Sequence, residues 1–292
     1  MALHTVIKEA KDSTLYVVAT PIGNLRDISL RALDILRSVD VVVAEDTRVC
    51  SKLLGHFGID ARVIASHEHN ESRSAEGIVK LLAGGKSVAL TTDAGTPAIS
   101  DPGSEVVARA RQEGFAVVPI PGASALTTAL SVCGQRLSRV MFCGFLPAKA
   151  GDRIKALQEL AGVPATLVFY EAPHRVLKSV EDMAQILGAD RCILIGRELT
   201  KLHEETHVCV LGEARAWLKN LPGRIRGEFV LVVERGEVVE AGGIEEGERV
   251  LALLMRELPL KRAVTLAAEV SGERKNALYR RALELAGETD SQ

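Results

Sequence analysis

The sequence predicts an α/β protein with two α/β domains, the first on a mostly parallel sheet and the second on a mixed sheet, plus a small helical tail. Three observations indicate this. Short apolar runs alternate with amphipathic helical segments up to about residue 135. Runs such as Val41–Val43 lack polar alternation, which is typical of strands buried on both faces of a parallel sheet. The last segment, 248–287, has a helical pattern only.

The first domain is predicted over residues 1–135 from repeated strand–helix units. Such alternation implies right-handed crossovers and therefore parallel strands. The predicted strands are Leu15–Ala19, Asp40–Ala44, Arg62–Ala65, Ser87–Leu90 and Ala116–Ile120, and the predicted helices are Ser29–Ser38, Thr47–Phe57, Glu71–Leu82 and Pro102–Gln112.

The second domain is predicted over residues 136–240, where the pattern changes. Two of its segments, His203–Leu211 and Glu228–Glu234, suit antiparallel pairing around a short helix that contains Trp217. A Gly- and Glu-rich linker follows at 236–247. The other predicted elements are strands at Val140–Phe145, Thr166–Tyr170 and Cys192–Ile195, and helices at Lys149–Ala161 and His174–Leu187.

Composition limits the class of protein. Hydrophobic residues are 47% and charged residues 25% of the chain, as in globular proteins, and the net charge is −2. Nucleic-acid binding would therefore need a local basic patch. The five cysteines form no CxxC pair, which favours a reducing compartment over a zinc site. No apolar run is long enough for a bilayer and residues 1–14 lack an apolar leader core, so we expect a cytoplasmic protein without membrane contact.

Five successive loops at the carboxyl ends of the predicted parallel strands are polar or rich in Gly and Pro. Those strand ends share one edge of the sheet, where ligands bind in α/β proteins. A ligand site is therefore expected at this edge, whereas the loops at the opposite edge read as plain connections. The five loops are Thr20–Asn24, Glu45–Arg48, Ser66–Asn70, Thr91–Gly103 and Pro121–Ala125.

The longest of these loops, Thr91–Gly103, follows an apolar strand with glycines, prolines and two aspartates. Its glycines permit positive φ or close approach of a ligand. Asp101 before Pro102 predicts a helix N-cap followed by proline at the first helical position. An ordinary βα connection with good turn chemistry remains the alternative interpretation.

Several familiar sites are absent from the sequence. No G-x-G-x-x-G follows the first strand, and neither G-x-x-x-x-G-K-[ST] nor G-x-S-x-G occurs, which disfavours dinucleotide, P-loop and serine-hydrolase sites. His67 and His69 would diverge on an extended loop, and no third ligand follows at a standard spacing. No metal is predicted.

A series of motifs in one order along the chain resembles the tetrapyrrole-methylase-like (class III) S-adenosylmethionine methyltransferases. The set is most similar to members that methylate a cytidine 2′-OH in the decoding region of 16S ribosomal RNA. The resemblance covers nearly the whole chain and implies a cleft for S-adenosylmethionine between the two domains, a homodimer, and 16S rRNA within the small ribosomal subunit as partner. The motifs are Thr20–Leu25, Ala44–Arg48, Ser66–Asn70, Thr92–Pro97, Ser100–Gly103, Pro121–Ala125, Gly144–Pro147, Phe169–Glu171 with His174 and Arg175, Arg197–Lys201, and Gly227–Glu228.

The resemblance also implies which residues bind the cofactor. Small residues would let the backbone approach it, and apolar side chains from both domains would form walls. Methyl transfer from a sulfonium to a hydroxyl needs alignment of donor and acceptor, and no metal. The implied cofactor residues are Pro21, Ile22, Gly23, Asp93, Ala94, Gly95, Thr96, Ser124, Ala125, Tyr170 and Leu199.

The catalytic group and the RNA contacts stay open at this point. A ribose 2′-OH is a weak acid, so a base or a stabiliser of the alkoxide is expected. The candidates are Glu45, Asp46, Glu171 and Lys201, although Asp46 also suits a helix N-cap. RNA contacts are expected on the rim from Arg48, His67, Asn70, His174 and Arg175.

The tail predicts a helix-turn-helix-like element over 248–287. Pro259 suits a first helical position, one apolar stripe includes Val270, and Gly272 suits the turn. An αα-hairpin that only packs on the second domain is the alternative. The basic residues that would contact RNA are Lys261, Arg262, Arg274, Lys275, Arg280 and Arg281.

Two other functions remain open. One is a porphyrinoid-precursor methylase of the same fold, in which the basic tail would have no evident role. The other is a non-catalytic protein that binds RNA or the ribosome through the tail. Equilibrium binding of S-adenosylmethionine separates the second alternative from both methylases.

Overall fold

The structure is a computed structural model that describes residues 10–66, 71–135, 137–220, 225–236 and 244–289. The chain divides into two compact units, Met1–Arg235 and Gly236–Gln292. The predicted boundary at 135 falls inside the first unit, and the one at 240 lies close to the division between the units. Both stay predictions. Among the described residues, no helix is long and apolar enough to cross a membrane.

The first unit begins with a five-stranded sheet in which every pairing is parallel, in the order β3-β2-β4-β1-β5. The predicted parallel sheet is confirmed. The strands are β1 (Thr14–Val18), β2 (Val41–Ala44), β3 (Val63–Ala65), β4 (Val88–Leu90) and β5 (Ala116–Ile120), and the helices are α1 (Leu30–Ser38), α2 (Thr47–His56), α3 (Glu71–Ala83), α4 (Ser104–Gln112) and α5 (Ala125–Val132).

Helices cover both faces of this sheet, so its central strands are buried on both sides. All four residues of β2 are buried. Val42 packs in a cluster with residues of α1 and α2, while Val41 and Val43 pack with residues of α3 and α4. This explains why β2 reads as an unbroken apolar run.

A second five-stranded sheet follows in the order β6-β7-β10-β8-β9. Only β6 and β7 pair in parallel and the other pairs are antiparallel, which confirms the predicted mixed sheet. β10 is the last of the described strands along the chain, yet it lies at the centre with all five residues buried. The strands are β6 (Val140–Phe145), β7 (Thr166–Glu171), β8 (Cys192–Arg197), β9 (Glu205–Val210) and β10 (Phe229–Val233), and the helices are α6 (Ala150–Ala161), α7 (Val176–Leu187) and α8 (Leu211–Lys219).

The two faces of this second sheet are covered by different parts of the chain. On one face, α6, α7 and α8 bury Phe169 and Leu231. On the other, Ala129 of α5 packs in a cluster with Val168 and Val232. Helix α5 follows the last strand of the first sheet and packs on the second sheet.

A buried ion pair links α6 to α7. Arg153 Nε lies 2.6 Å from Asp182 Oδ2, and the Arg153 side chain is 4% exposed. Its guanidinium also donates to the carbonyls of Pro147 and Ala148, in the segment that connects β6 to α6. Among the described residues, Asp182 is thus the anionic partner of a guanidinium removed from water.

The second unit contains three described helices, α9 (Ile244–Leu254), α10 (Leu260–Ser271) and α11 (Lys275–Thr289). α10 ends at Gly272, whose φ of 73° is left-handed and suits glycine. Two details predicted from the sequence are wrong. Pro259 is the N-cap of α10 instead of its first helical residue. Val270 is 70% exposed, and Val264 takes the core position.

Candidate active site

The loops after β1 and β4 are joined where both strands end. Thr20 N–H donates to the Gly95 carbonyl at 2.8 Å, and Gly95 N–H donates back to the Thr20 carbonyl at 3.2 Å. The buried Thr20 hydroxyl donates to the carbonyl of Thr92 at 3.0 Å. The loop after β5 approaches as closely, since a Cβ on Gly122 would lie 3.0 Å from Ala19 Cβ. The predicted convergence of these loops is therefore present.

The loop after β2 adds acidic groups to the same edge. The Thr92 hydroxyl donates to Glu45 Oε2 at 2.7 Å, and Asp46 N–H donates to Asp93 Oδ1 at 3.0 Å. Asp46 is the N-cap of α2 and accepts from Arg48 N–H at 2.8 Å. Burial and the charges of Glu45 and Asp46 raise the pKa of Asp93.

The segment between β4 and α4 contains residues in a strained backbone conformation. Ala98 and Ser100 have φ values of 70° and 60°, in a region that L-residues rarely occupy. The prediction that Asp101 caps α4 is wrong, because the helix begins at Ser104 with Gly103 as its N-cap. Gly103 has a φ of 131°, and a Cβ there would lie 3.1 Å from Leu90 Cδ2. Strain of this kind concentrates at functional sites.

The second sheet supplies the facing wall. The Tyr170 hydroxyl accepts a hydrogen bond from Leu126 N–H at 3.2 Å, and its ring meets Phe142 and Phe145 edge-on. Glu198 and Thr200 repeat the strained conformation, with φ values of 50° and 69°.

Between these walls lies a cavity of about 460 Å³, a volume suited to a small ligand. Its lining comes from loops of both sheets. Eight of the residues implied to bind a cofactor line this cavity, namely Ile22, Ala94, Gly95, Thr96, Ser124, Ala125, Tyr170 and Leu199.

A second cavity, also of about 460 Å³, adjoins the first. The two share Ile22, Ala94 and Glu228 in their linings. The remaining implied cofactor residues, Pro21, Gly23 and Asp93, line this second cavity together with Lys201.

Two of the four catalytic candidates are held by internal partners. The Arg48 side chain pairs with Asp46 at 2.6 Å and holds the pKa of that carboxyl well below its usual range. Glu171 is 2% exposed and accepts from the Ser179 hydroxyl and from Ala172 N–H, while Arg175 Nε lies 3.2 Å away. Both carboxylates thus already have cationic and hydrogen-bonding partners.

Lys201 and Glu45 differ from these two. Burial alone would lower the pKa of Lys201, but hydrogen bonds to Glu228 and Glu198 outweigh it and raise the pKa. These bonds measure 2.8 and 2.9 Å from Nζ. Lys201 is therefore a cation that can stabilise negative charge, and not a base. The Glu45 carboxylate accepts a hydrogen bond from the Thr92 hydroxyl and pairs with no cation among the described residues.

Sequence reasoning did not identify Asp101 as a site residue. It lines the first cavity, and burial together with the negative charge of Glu45 raises its pKa to about 6. A hydrogen bond from Thr92 opposes the shift, and Asp93 adds to it. The feature that could have identified it is an aspartate in the longest loop of the edge. Because a proline follows it, this aspartate resembled a helix N-cap.

A family model described as Tetrapyrrole (Corrin/Porphyrin) Methylases matches residues 14–215. The chain belongs to the tetrapyrrole methylase family. The resemblance seen in the sequence is thereby confirmed. A second model, described as the RsmI C-terminal HTH domain, matches residues 241–286.

Individual proteins and solved structures are also similar to this methylase. A curated relative from Escherichia coli O157:H7, named ribosomal RNA small subunit methyltransferase I, is 49% identical over 94% of this chain and 96% of its own length. The structure of cobalt precorrin-4 methyltransferase CbiF shares the fold at a TM-score of 0.57 and 17% identity, over 75% of this chain and 94% of that one. Uroporphyrin-III C-methyltransferase from Thermus thermophilus, complexed with S-adenyl homocysteine, gives a TM-score of 0.54 at 18% identity, over 77% and 98%.

The residues of the first unit that the sequence predicts to contact RNA differ in their exposure. His67 and Asn70 lie outside the described residues. Arg48 and His174 are exposed, and His174 lines the first cavity. Arg175 is turned inward, because its guanidinium pairs with Glu171 and donates to the Leu146 carbonyl.

Within the helical unit of the methylase, Arg281 joins α11 to α9. It lies 3.2 Å from Glu248 and 2.8 Å from Glu284. The other basic residues predicted to contact RNA are exposed, namely Lys261, Arg262, Arg274, Lys275 and Arg280. In the part of the methylase that the structure describes, no three His, Cys, Asp or Glu side chains group as a metal site.

Proposed function

We propose that this methylase transfers the methyl group of S-adenosylmethionine to the 2′-OH of a cytidine in the decoding region of 16S ribosomal RNA. The main support is the 49% identity to the curated relative that is named ribosomal RNA small subunit methyltransferase I. The 2′-OH of a cytidine as acceptor follows from the resemblance of the motifs. We further propose that the protein acts in the cytoplasm as a homodimer on the assembled small subunit.

The proposed cofactor site is the first cavity together with the adjoining part of the second, where Pro21, Gly23 and Asp93 lie. Its small residues let the backbone approach a ligand, and Tyr170 and Leu199 supply apolar walls from the second sheet. The reaction is an in-line displacement, in which the acceptor oxygen attacks the methyl carbon and sulfur leaves as a thioether. The protein's part is to align these three atoms and to exclude competing acceptors.

Purified protein, labelled S-adenosylmethionine and small ribosomal subunits from cells that lack this methylase test the proposal directly. Label is expected in 16S rRNA, and mapping the modified nucleotide identifies the position and the 2′-O linkage. Transfer to a porphyrinoid precursor, with none to RNA, would replace the proposal by the first alternative. Cofactor binding below detection would favour the non-catalytic one.

Asp93 provides a first prediction on the cofactor. The resemblance assigns it to S-adenosylmethionine, so Asp93→Ala is expected to weaken binding by about 1–3 kcal/mol, because a polar partner on the ligand is left unpaired. Calorimetry measures the affinity. Asp190→Ala is the control, since Asp190 is exposed and absent from both cavity linings. An unchanged affinity in both variants would remove Asp93 from the cofactor site.

The helical unit provides a second prediction, on RNA. The match to a helix-turn-helix model and the exposed basic side chains support docking of RNA on this unit. Reversing Arg274, Lys275 and Arg280 to glutamate is expected to raise the apparent KM for small subunits at least ~10-fold, because phosphate contacts are lost. Arg281 is left unchanged because it pairs with Glu248 and Glu284.

Salt dependence separates docking from a structural effect. Each lost phosphate contact lowers the slope of log K against log salt by roughly 0.7–0.9, whereas cofactor affinity should not change. The matched control reverses three exposed lysines of the first unit, Lys80, Lys155 and Lys219. An equal salt slope for wild type, control and variant would leave these residues without a role in docking.

A further inference from the structure

The second cavity extends beyond the residues implied to bind the cofactor. It meets the first cavity at Ile22, Ala94 and Glu228, which line both and form a shared wall. Its cofactor residues come from the loops after β1 and β4. A separate set comes from α2 and from the segment that follows the β1 loop. We call this set the outer pocket, and its lining is Leu25, Val49, Cys50, Lys52 and Leu53.

Three of these side chains are apolar and form the wall of the outer pocket. Leu25 begins a short 3-10 helix, Leu25–Asp27, and is 40% exposed. Val49 is 41% exposed and lies four residues before Leu53 on α2, so these two side chains share one side of the helix. Exposed apolar side chains that converge on a cavity are typical of a site for a small ligand or for part of a larger one.

The wall is supported from behind. Asn24 accepts a hydrogen bond from Arg26 N–H at 3.1 Å, which fixes the turn that contains Leu25. On α2, Cys50 and Leu54 are buried in a core cluster with residues of α1 and β2. The outer pocket is therefore formed before a ligand arrives, and binding requires little reordering of the protein.

The charged side chains of the second cavity indicate what it can hold. Lys52 is exposed and forms no ion pair with any residue that the structure describes. At the shared wall, Lys201 binds Glu228 at 2.8 Å. The described lining thus has two lysines, balanced by Asp93 and Glu228. A porphyrinoid precursor has several carboxylates and would need an excess of cations, whereas a nucleotide presents an apolar ring face and one phosphate, which a single lysine can bind.

We propose that the outer pocket binds the acceptor nucleotide of the RNA, an inference that rests on the proposed function. Leu25, Val49 and Leu53 contact the base and the ribose, and Lys52 contacts the adjoining phosphate. The acceptor hydroxyl then faces the shared wall of the two cavities, on the other side of which the cofactor lies. These residues bind and orient the acceptor, which is the positioning that methyl transfer requires.

Leu25→Asp and Val49→Asp test the apolar wall. Each places a carboxylate against the base and near a phosphate, so each is expected to raise the apparent KM for small subunits at least ~10-fold. The affinity for S-adenosylmethionine by calorimetry should stay within about 2-fold of wild type, because the change removes binding of the acceptor alone. The matched control is Leu30→Asp, since Leu30 is 80% exposed, begins α1 and lines neither cavity. It should keep the wild-type KM and affinity.

Lys52→Glu provides a second measurement that does not depend on the wall. Loss of its phosphate contact should lower the slope of log K against log salt for binding of small subunits by roughly 0.7–0.9. Its control is Lys80→Glu, at an exposed lysine of α3 that lines neither cavity. Because all of these positions are exposed, the variants are expected to fold, and a Tm close to that of wild type checks this.

The possible results separate this inference from the proposed function. A wild-type KM in both folded aspartate variants would refute the outer pocket as the acceptor site and leave the proposed function intact. A loss of cofactor affinity as large as the rise in KM would refute it too, because the outer pocket would then belong to S-adenosylmethionine. An unchanged salt slope in Lys52→Glu would refute the phosphate contact. Wild-type protein that methylates no RNA would instead refute both proposals.

Discussion

Phenylalanine in place of Ala125 is expected to abolish methyl transfer, by lowering the affinity for S-adenosylmethionine at least ~100-fold. Ala125 lies at the start of α5 and lines the first cavity. A benzyl group there takes space that the ligand needs. The backbone cannot retreat, because α5 packs through Ala129 against Val168 and Val232 of the second sheet. Filling a site in a packed core is relieved only by costly displacement of neighbours.

Calorimetry with S-adenosylmethionine and the transfer assay on small subunits measure this effect. The matched control is Ala161→Phe, the same substitution at an exposed alanine that ends α6 and lines neither cavity. The control should bind the cofactor as wild type does. Normal affinity in Ala125→Phe would place the cofactor outside the first cavity and contradict the proposed site.

Removing the carboxylate of Asp182 is expected to lower the free energy of unfolding by about 3–5 kcal/mol. The Arg153 guanidinium that it pairs with at 2.6 Å is 4% exposed, so the Asp182→Ala variant leaves a cation away from water with only two carbonyl acceptors. An uncompensated buried charge is among the most destabilising changes in a protein.

The adjacent residue offers the control. Glu181 pairs with Arg215 at 3.2 Å, but both side chains are about half exposed, at 55% and 43%. Screening by water makes such a pair worth about 0–1 kcal/mol, so Glu181→Ala should be nearly neutral. Urea unfolding of the two variants compares the loss of a buried ion pair with the loss of an exposed one. Both carboxylates lie on α7. Equal losses of stability would mean that burial of Arg153 does not set the cost.

Much of the fold follows from local patterns. The unbroken apolar run of β2 is typical of a strand with helices on both faces, and the pattern therefore predicts the parallel sheet. The sequence also predicted the last residue of α4 correctly, but not its first. Asp101–Pro102 has the chemistry of a helix start, yet the helix begins at Ser104, after Gly103 with its non-helical φ of 131°.

The sequence predicted the edge of the sheet at which the candidate site lies. It did not predict how the side chains are arranged there. Loop composition indicated where a ligand would bind. Which carboxylates would be engaged depends on distant partners such as Ser179 for Glu171 and Glu228 for Lys201, and no spacing in the sequence reveals these pairs. The division of the residues implied to bind the cofactor between two adjoining cavities likewise depends on how both sheets pack.

The central position of β10 has a consequence for how this methylase is made. A growing chain that has reached residue 228 has made four strands of the second sheet, yet it lacks the one that lies between β7 and β8. Phe229 and Val230 of that strand also line the first cavity. A nascent chain that folds from its amino end can complete the first sheet early. If the first cavity is the cofactor site, as proposed, binding of the methyl donor is expected only after synthesis has passed residue 233.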